Sequence, residues 1–343
     1  MKILYAVQAT GNGHISRAIT LLPHLEKKGA VDVFLSGSNS HLNPQLPVRY
    51  RSKGISLYYN NKGGLDYGRI ALQRNLFNVM REVKQLPVEK YDLVINDFDF
   101  ITSLACKIKK VRSIHYGHQA SFHYRETPRP INKSWHGELL LKDYVRASHH
   151  IGLHFEKYHP SIFGAVIKEQ FLVANPSDNG HITVYLPALN QRKIEDLLCE
   201  VPDQKFEIFT KEVKFPYRYR NLYFYPIEQE QFNKSLISCK GIICGAGFET
   251  PAEAIQMGKK ILAVPIEGQY EQKCNAVALE NLGVSTSKIS KLDSNRIIDW
   301  LDNGKIIQKD YSRSIPDSLN YLFSSLECDK YETTTQLAAS YVP

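Results

Sequence analysis

Short apolar runs alternate with amphipathic helical stretches through almost all of the 343 residues, and this rhythm restricts the fold more than any single motif does. In the first half the runs are KILYAVQ (2–8), VDVFLSG (31–37), DLVIN (92–96) and RSIHYG (112–117), separated by helical patterns at 15–29 and 69–86. Apolar runs of this length, without a polar face, suit strands covered on both sides, as in a parallel sheet between two layers of helices. A cluster of turn formers, Asn175-Pro176-Ser177-Asp178-Asn179-Gly180, interrupts the rhythm and reads as a linker. The rhythm then restarts with HITVYLP (181–187), KFEIFT (205–210), NLYFYP (221–226), KGIICG (240–245) and KKILAVP (259–265). Two doubly wound α/β domains in tandem are therefore expected, at 1–174 and 181–311. The remainder, 312–343, opens with an amphipathic stretch (314–327) expected to pack back on the first domain. Ligands in such sheets bind beyond the carboxyl ends of the strands, which points to the loops after Gln8 and Cys244 and to the ends near Asn96, Gly117 and Pro265.

Composition narrows the class. With 43% hydrophobic and 23% charged residues the chain is an ordinary globular protein, and its length supplies two cores. No stretch approaches the roughly 18 uncharged apolar residues of a membrane span, and the N-terminus enters a strand directly, so a cytoplasmic location is expected, at most peripheral at the inner face of the membrane. Six scattered cysteines read as reduced thiols, most of them buried. Residues 1–150 hold 22 Lys and Arg against 11 Asp and Glu, while the remainder holds 21 against 24. That asymmetry is either a solvated basic face or the mark of an anionic partner, a phosphate-bearing or membrane-presented acceptor; no nucleic-acid motif accompanies it.

Two glycine turns stand at strand ends. The first, Ala9-Thr10-Gly11-Asn12-Gly13-His14, lets the backbone at Gly11 and Gly13 approach a ligand at a helix start. It meets neither the P-loop pattern nor the dinucleotide fingerprint, because no Lys-Ser/Thr follows and the third glycine position falls on Ser16; a tight turn closed by His14 accounts for it equally. The second, Gly245-Ala246-Gly247, precedes a helix expected to start at Thr250-Pro251, with Thr250 as N-cap and Glu253 completing a capping box. A diphosphate suits that amide-rich start, and Glu253 either receives ribose hydroxyls or only caps. Further on, Gln269, Gln272 and Asn275 offer neutral hydrogen-bonding groups suited to sugar hydroxyls, or form a plain polar loop.

With these residues in view the chain resembles the GT-B glycosyltransferases, and within them the MurG-like branch of UDP-N-acetylglucosamine transferases. The matching series is Gly247, Thr250-Pro251-Ala252-Glu253, Gly258, Val264-Pro265, Gln272, Asn275-Ala276 and Leu282-Gly283, together with the N-terminal turn ending in Gly-His. The resemblance implies that Gly245, Ala246, Gly247, Phe248, Glu249 and Thr250 hold a donor diphosphate. It further implies that Glu253 holds the ribose, Ile227 the uracil through its backbone, and Gln272 and Asn275 the donor sugar. It implies no cofactor. The chain departs from the branch in having fewer glycines in the first loop and in placing Phe248-Glu249 beside the diphosphate, and the acceptor is left open.

Transfer of a sugar requires a base for the acceptor hydroxyl. His14 is the first candidate, because an imidazole accepts a proton near neutrality and the loop faces the cleft. Asp97, Asp99, His115 and His118 are second choices, as base or acceptor contacts. Asp97-Phe98-Asp99 has the D-x-D form of a metal site but lies in the domain away from the nucleotide signal, so no metal is expected. His149, His150, His154 and His159 alternate with apolar residues as in a strand, which sets His150 and His154 about 13 Å apart, too far to share an ion; they read as surface histidines. A sugar-nucleotide epimerase or hydrolase using Glu249, Glu267 or Glu271 is the alternative, as is a catalytically silent binding protein that would tolerate loss of His14.

Overall fold

The computed structural model describes residues 1–9, 12–37, 46–54 and 76–339, so Gly11 and residues 69–75 of the second helical pattern lie outside the described residues. Seven strands form the first sheet: β1 (Lys2–Gln8), β2 (Ala30–Ser36), β3 (Val48–Ser52), β4 (Leu93–Asp97), β5 (Ser113–Gly117), β6 (His149–Leu153) and β7 (Ile162–Phe163). All pair in parallel, in the order β3-β2-β1-β4-β5-β6-β7. Another seven form the second: β8 (His181–Tyr185), β9 (Lys205–Phe209), β10 (Tyr217–Tyr219), β11 (Leu222–Tyr225), β12 (Gly241–Gly245), β13 (Lys260–Val264) and β14 (Ser285–Thr286). Their order is β10-β11-β9-β8-β12-β13-β14, with β10 alone antiparallel.

The apolar runs become these strands because almost every side chain along them is enclosed. Leu93–Asp97 and Ser113–Gly117 are buried throughout. The helix Asn12–Glu26 turns Ile15, Ala18, Leu21, Leu22 and Leu25 onto the first sheet at intervals of three and four residues, the spacing of one helical face. The helix Ser314–Ala339 reaches the first sheet through Ser318, whose Oγ lies 2.8 Å from the Tyr116 hydroxyl. Strand order reverses between β1 and β4 and again between β8 and β12, so each sheet opens a crevice at that point. The start of the helix at Gly13 and His14, Asp97, and the Gly245–Gly247 turn all stand at these crevices.

Of the histidines of 149–159, His154 corrects the surface reading, while His149, His150 and His159 are half-buried. Interior strand β6, between β5 and β7, carries the chain inward, and His154 is fully buried among the rings of His118, Phe122, Phe155 and Phe248. Burial holds its imidazole well below the ordinary range, and Nδ1 accepts the Phe155 amide, so it is a neutral core group.

Candidate active site

Residues from both sheets converge where the two crevices meet. The first helix presents His14 and Arg17, three positions apart and so on one face. Asp97, the last residue of β4, is fully buried beneath them. Its Oδ1 lies 2.9 Å from His14 Nδ1, and Arg17 grips both oxygens, Nη2 to Oδ1 at 2.8 Å and Nε to Oδ2 at 3.0 Å. Burial alone would raise the Asp97 carboxyl, but Arg17 and His14 hold it well below the usual carboxylate range. An ionised carboxylate only accepts hydrogen bonds, so Nδ1 of His14 carries the hydrogen and Nε2 is left with its lone pair. Arg17 Nη2, 3.0 Å from that Nδ1, is a second donor converging on Oδ1.

The backbone around Asp97 is shaped for this contact. Phe98 adopts a left-handed conformation (φ 60°), which a side chain takes up only where its surroundings enforce it. The turn directs Asp97 back toward the first helix while Asp99 faces forward and caps the helix Phe100–Lys109 by accepting the Thr102 amide at 2.6 Å. Gly117 leaves the room: a Cβ there would stand 2.8 Å from Asp97 Oδ1.

From the other side comes the helix Glu249–Gln256. Phe248, not Thr250, occupies its N-cap position, and no side chain caps it. The expected capping box does not form: the helix starts at Glu249, ahead of Thr250, which puts Glu253 beyond the third helical position, and Glu253 pairs with Lys168, Nζ to Oε1 at 2.8 Å. Pro251 still falls in the first turn, where its missing amide hydrogen removes no helical bond. Glu249 forms an ion pair with Arg17 Nη1 across the cleft, and its Cγ lies 3.2 Å from where a Cβ on Gly13 would be. One guanidinium therefore serves a carboxylate from each domain.

A cavity of about 490 Å³ opens beside this network. Gly13, Ile227, Glu249, Thr250 and Glu253 line it, with Lys168 and Asn233 among the residues that the sequence did not single out. Asn233 is almost fully buried there, and its Oδ1 has no hydrogen-bond partner. A Cβ on Gly247 would meet no protein atom within 4 Å, so the protein's own packing does not require glycine there.

The polar residues after β13 take other partners. Gln272 accepts the Ile266 amide at 3.0 Å and donates to Gln269 at 2.7 Å. Asn275 is fully buried; its Nδ2 donates to the Ala246 carbonyl at 3.1 Å and its Oδ1 lies 2.9 Å from His118 Nε2. His118 is buried as well, with Nδ1 on the Leu153 carbonyl at 3.0 Å and its ring stacked 4.0 Å from that of Phe248. Both of its nitrogens are thus engaged. His115 is buried against Phe98 and His150.

Two doubly wound domains, each with its crevice at a strand-order reversal, have the architecture of the GT-B class of sugar transferases. A model of glycosyl transferase family 1 matches residues 1–304, and the chain belongs to that family, a glycosyltransferase. Among solved structures the chain is similar to UGT2 of Phytolacca americana, complexed with UDP-2-fluoro-glucose and pterostilbene, at 14% identity and a TM-score of 0.59, covering 99% of each chain. It is similar also to the glycosyltransferase SnogD of Streptomyces nogalater (16% identity, TM-score 0.55, covering 88% of this chain and 91% of that one). For MurG of Acinetobacter baumannii the figures are 15% identity, TM-score 0.51, and coverage of 94% and 99%. No curated protein matches the sequence.

Proposed function

We propose that the protein moves a hexosyl or N-acetylhexosaminyl group from a UDP-linked sugar to an acceptor hydroxyl, without a metal. The observation that carries this reading is the His14–Asp97 contact, next in the chain to Gly13, which lines a cavity together with Glu249, Thr250 and Glu253. His14 takes the acceptor proton as the acceptor oxygen bonds to the anomeric carbon. The bond from that carbon to the diphosphate breaks, and its electron pair leaves with the diphosphate. Amides at the start of the helix Glu249–Gln256 receive the departing charge, and the open space at Gly247 lets the phosphates approach the backbone. Glu253, steadied by Lys168, accepts from the ribose hydroxyls. Ile227 reads the base, Gln269 and Gln272 border the sugar, and the buried Asn275 acts from behind the Gly245–Gly247 turn by holding the Ala246 carbonyl. Asp97 and Asp99 are turned to separate partners, Arg17 with His14 and the Thr102 amide, rather than toward one ion.

Thermal unfolding with UDP tests the reading. UDP is expected to raise the melting temperature by mass action, and Glu253→Ala to weaken its binding by about 1.5–3 kcal/mol through loss of charge-assisted hydrogen bonds. EDTA should change neither result. Equal stabilisation of both proteins removes Glu253 from the site; turnover abolished by EDTA and restored by Mn²⁺ defeats the metal-free mechanism.

A further inference from the structure

Building on that donor site, we propose that Glu249 meets the donor's diphosphate as a neutral carboxylic acid, so that donor binding takes up one proton at this residue. Glu249 lies in the first turn of the helix whose amides face the cavity, where an anion is to bind, and it lines that cavity itself. Its Cγ packs over Gly13, where a Cβ would stand only 3.2 Å away, so the side chain reaches across to the first helix because residue 13 carries none. The charged and titratable groups that face it are Arg17 and His14 from the first helix, Asp97 from β4, Tyr5 from β1, and Glu253 one turn along its own helix. Arg17 is its only bonded cation among these, and Arg17 is already held by both oxygens of Asp97. Lys168 is committed to Glu253. An ionised Glu249 together with a diphosphate would therefore set two anions against a guanidinium that a third already occupies.

A proton on the Glu249 oxygen other than Oε1 removes that conflict. It leaves Oε1 accepting from Arg17 and turns the second oxygen into a hydrogen-bond donor for a phosphate oxygen. The proton comes from solvent. Burial, acting against Arg17, already pushes this carboxyl up to about 7 in the free protein, so little free energy is needed to protonate it near neutrality. The sign follows by linkage. A group whose binding-competent form is the protonated one gives full affinity below its free pKa and loses affinity as pH rises through it.

Isothermal titration of the full chain with UDP-glucose and with UDP-N-acetylglucosamine, at about pH 6 and about pH 8 in two buffers of different ionisation enthalpy, tests this. Both phosphates of a nucleotide sugar are esterified, so the ligand itself takes up no proton in this range. Wild-type affinity is expected to be about tenfold weaker at pH 8 than at pH 6, with close to one proton taken up per donor bound at pH 8. Glu249→Gln, which keeps the neutral shape and a donor group, should bind equally at both pH values without proton uptake. Flat wild-type affinity without uptake overturns the proposal, and so does a pH dependence that persists in Glu249→Gln. Absence of binding by both proteins at both pH values removes the donor reading, and the proposal with it, whereas binding without proton coupling removes the proposal alone.

Discussion

His14 and Asp97 respond differently to substitution. His14→Ala removes the proton acceptor, and kcat is expected to fall about 10²–10⁴-fold with donor affinity little changed, because the donor contacts lie in the second domain. Asp97→Asn keeps the volume but no longer fixes the imidazole tautomer, so a loss of similar size, up to about 10⁴-fold, is expected with His14 still present. It should also destabilise the fold, since Arg17 loses one of its two buried carboxylates and keeps only Glu249, which a lower urea midpoint would report. Steady-state kinetics with a UDP-sugar, together with urea unfolding, separates the two effects; a His14→Ala enzyme of near wild-type kcat would place the base elsewhere. His14 was legible because it closes a glycine turn at a strand end, and Asp97 because it ends an apolar run. Their pairing was not, since 83 positions separate them. Arg17 left a readable trace, a charge three residues from His14 on a helix face otherwise made of Ile15, Ala18 and Leu21. Lys168 left none: it sits just before the short helix Glu169–Leu172, and only the tertiary fold brings it to Glu253.

Elements set the direction in which these side chains face. Asp99 shows the division of labour within the D-x-D triplet: it caps the helix Phe100–Lys109 while its backbone amide donates to Asn96 Oδ1 at 2.7 Å. Asp99→Ala is expected to cost about 1 kcal/mol through the lost cap, read as a lower urea midpoint, whereas Asp99→Asn, which still caps, should keep both stability and kcat. A collapse of kcat in Asp99→Asn with the urea midpoint unchanged would instead bring Asp99 into the chemistry. Strands buried on both faces were legible to within a residue or two, as at 181–187 against His181–Tyr185, because they leave an unbroken apolar signal, whereas the short or exposed strands β3, β7, β10 and β14 left none. The start of the helix after β12 was not. Thr-Pro-Ala-Glu has the local form of a cap, but the helix begins at Glu249, so the four residues lie inside it and Glu253 is free to pair with Lys168, which the fold brings from a distant part of the chain.

Over the whole molecule the charge is lopsided, with an excess of 11 positive charges in residues 1–150. If this domain takes an acceptor bearing phosphate or presented at an anionic surface, binding to anionic vesicles should exceed binding to neutral ones and decline with added salt. Equal binding to both would favour an acceptor free in solution. No helix among the described residues is long and apolar enough to cross a membrane. The shared guanidinium has a consequence for modularity. Two-domain transferases invite the construction of chimeras, in which one half is exchanged to change the donor. Here the seam runs through Arg17–Glu249, Gly13 against Glu249, and His118–Asn275. A foreign second half with a small apolar residue at 249 would strip Arg17 of one of its two carboxylates. One carrying a bulkier residue at 249 would collide with the turn at Gly13. Exchange is thus restricted to partners that bring an acid at 249 and an amide at 275, or to grafts that carry the Gly13–Arg17 turn with them.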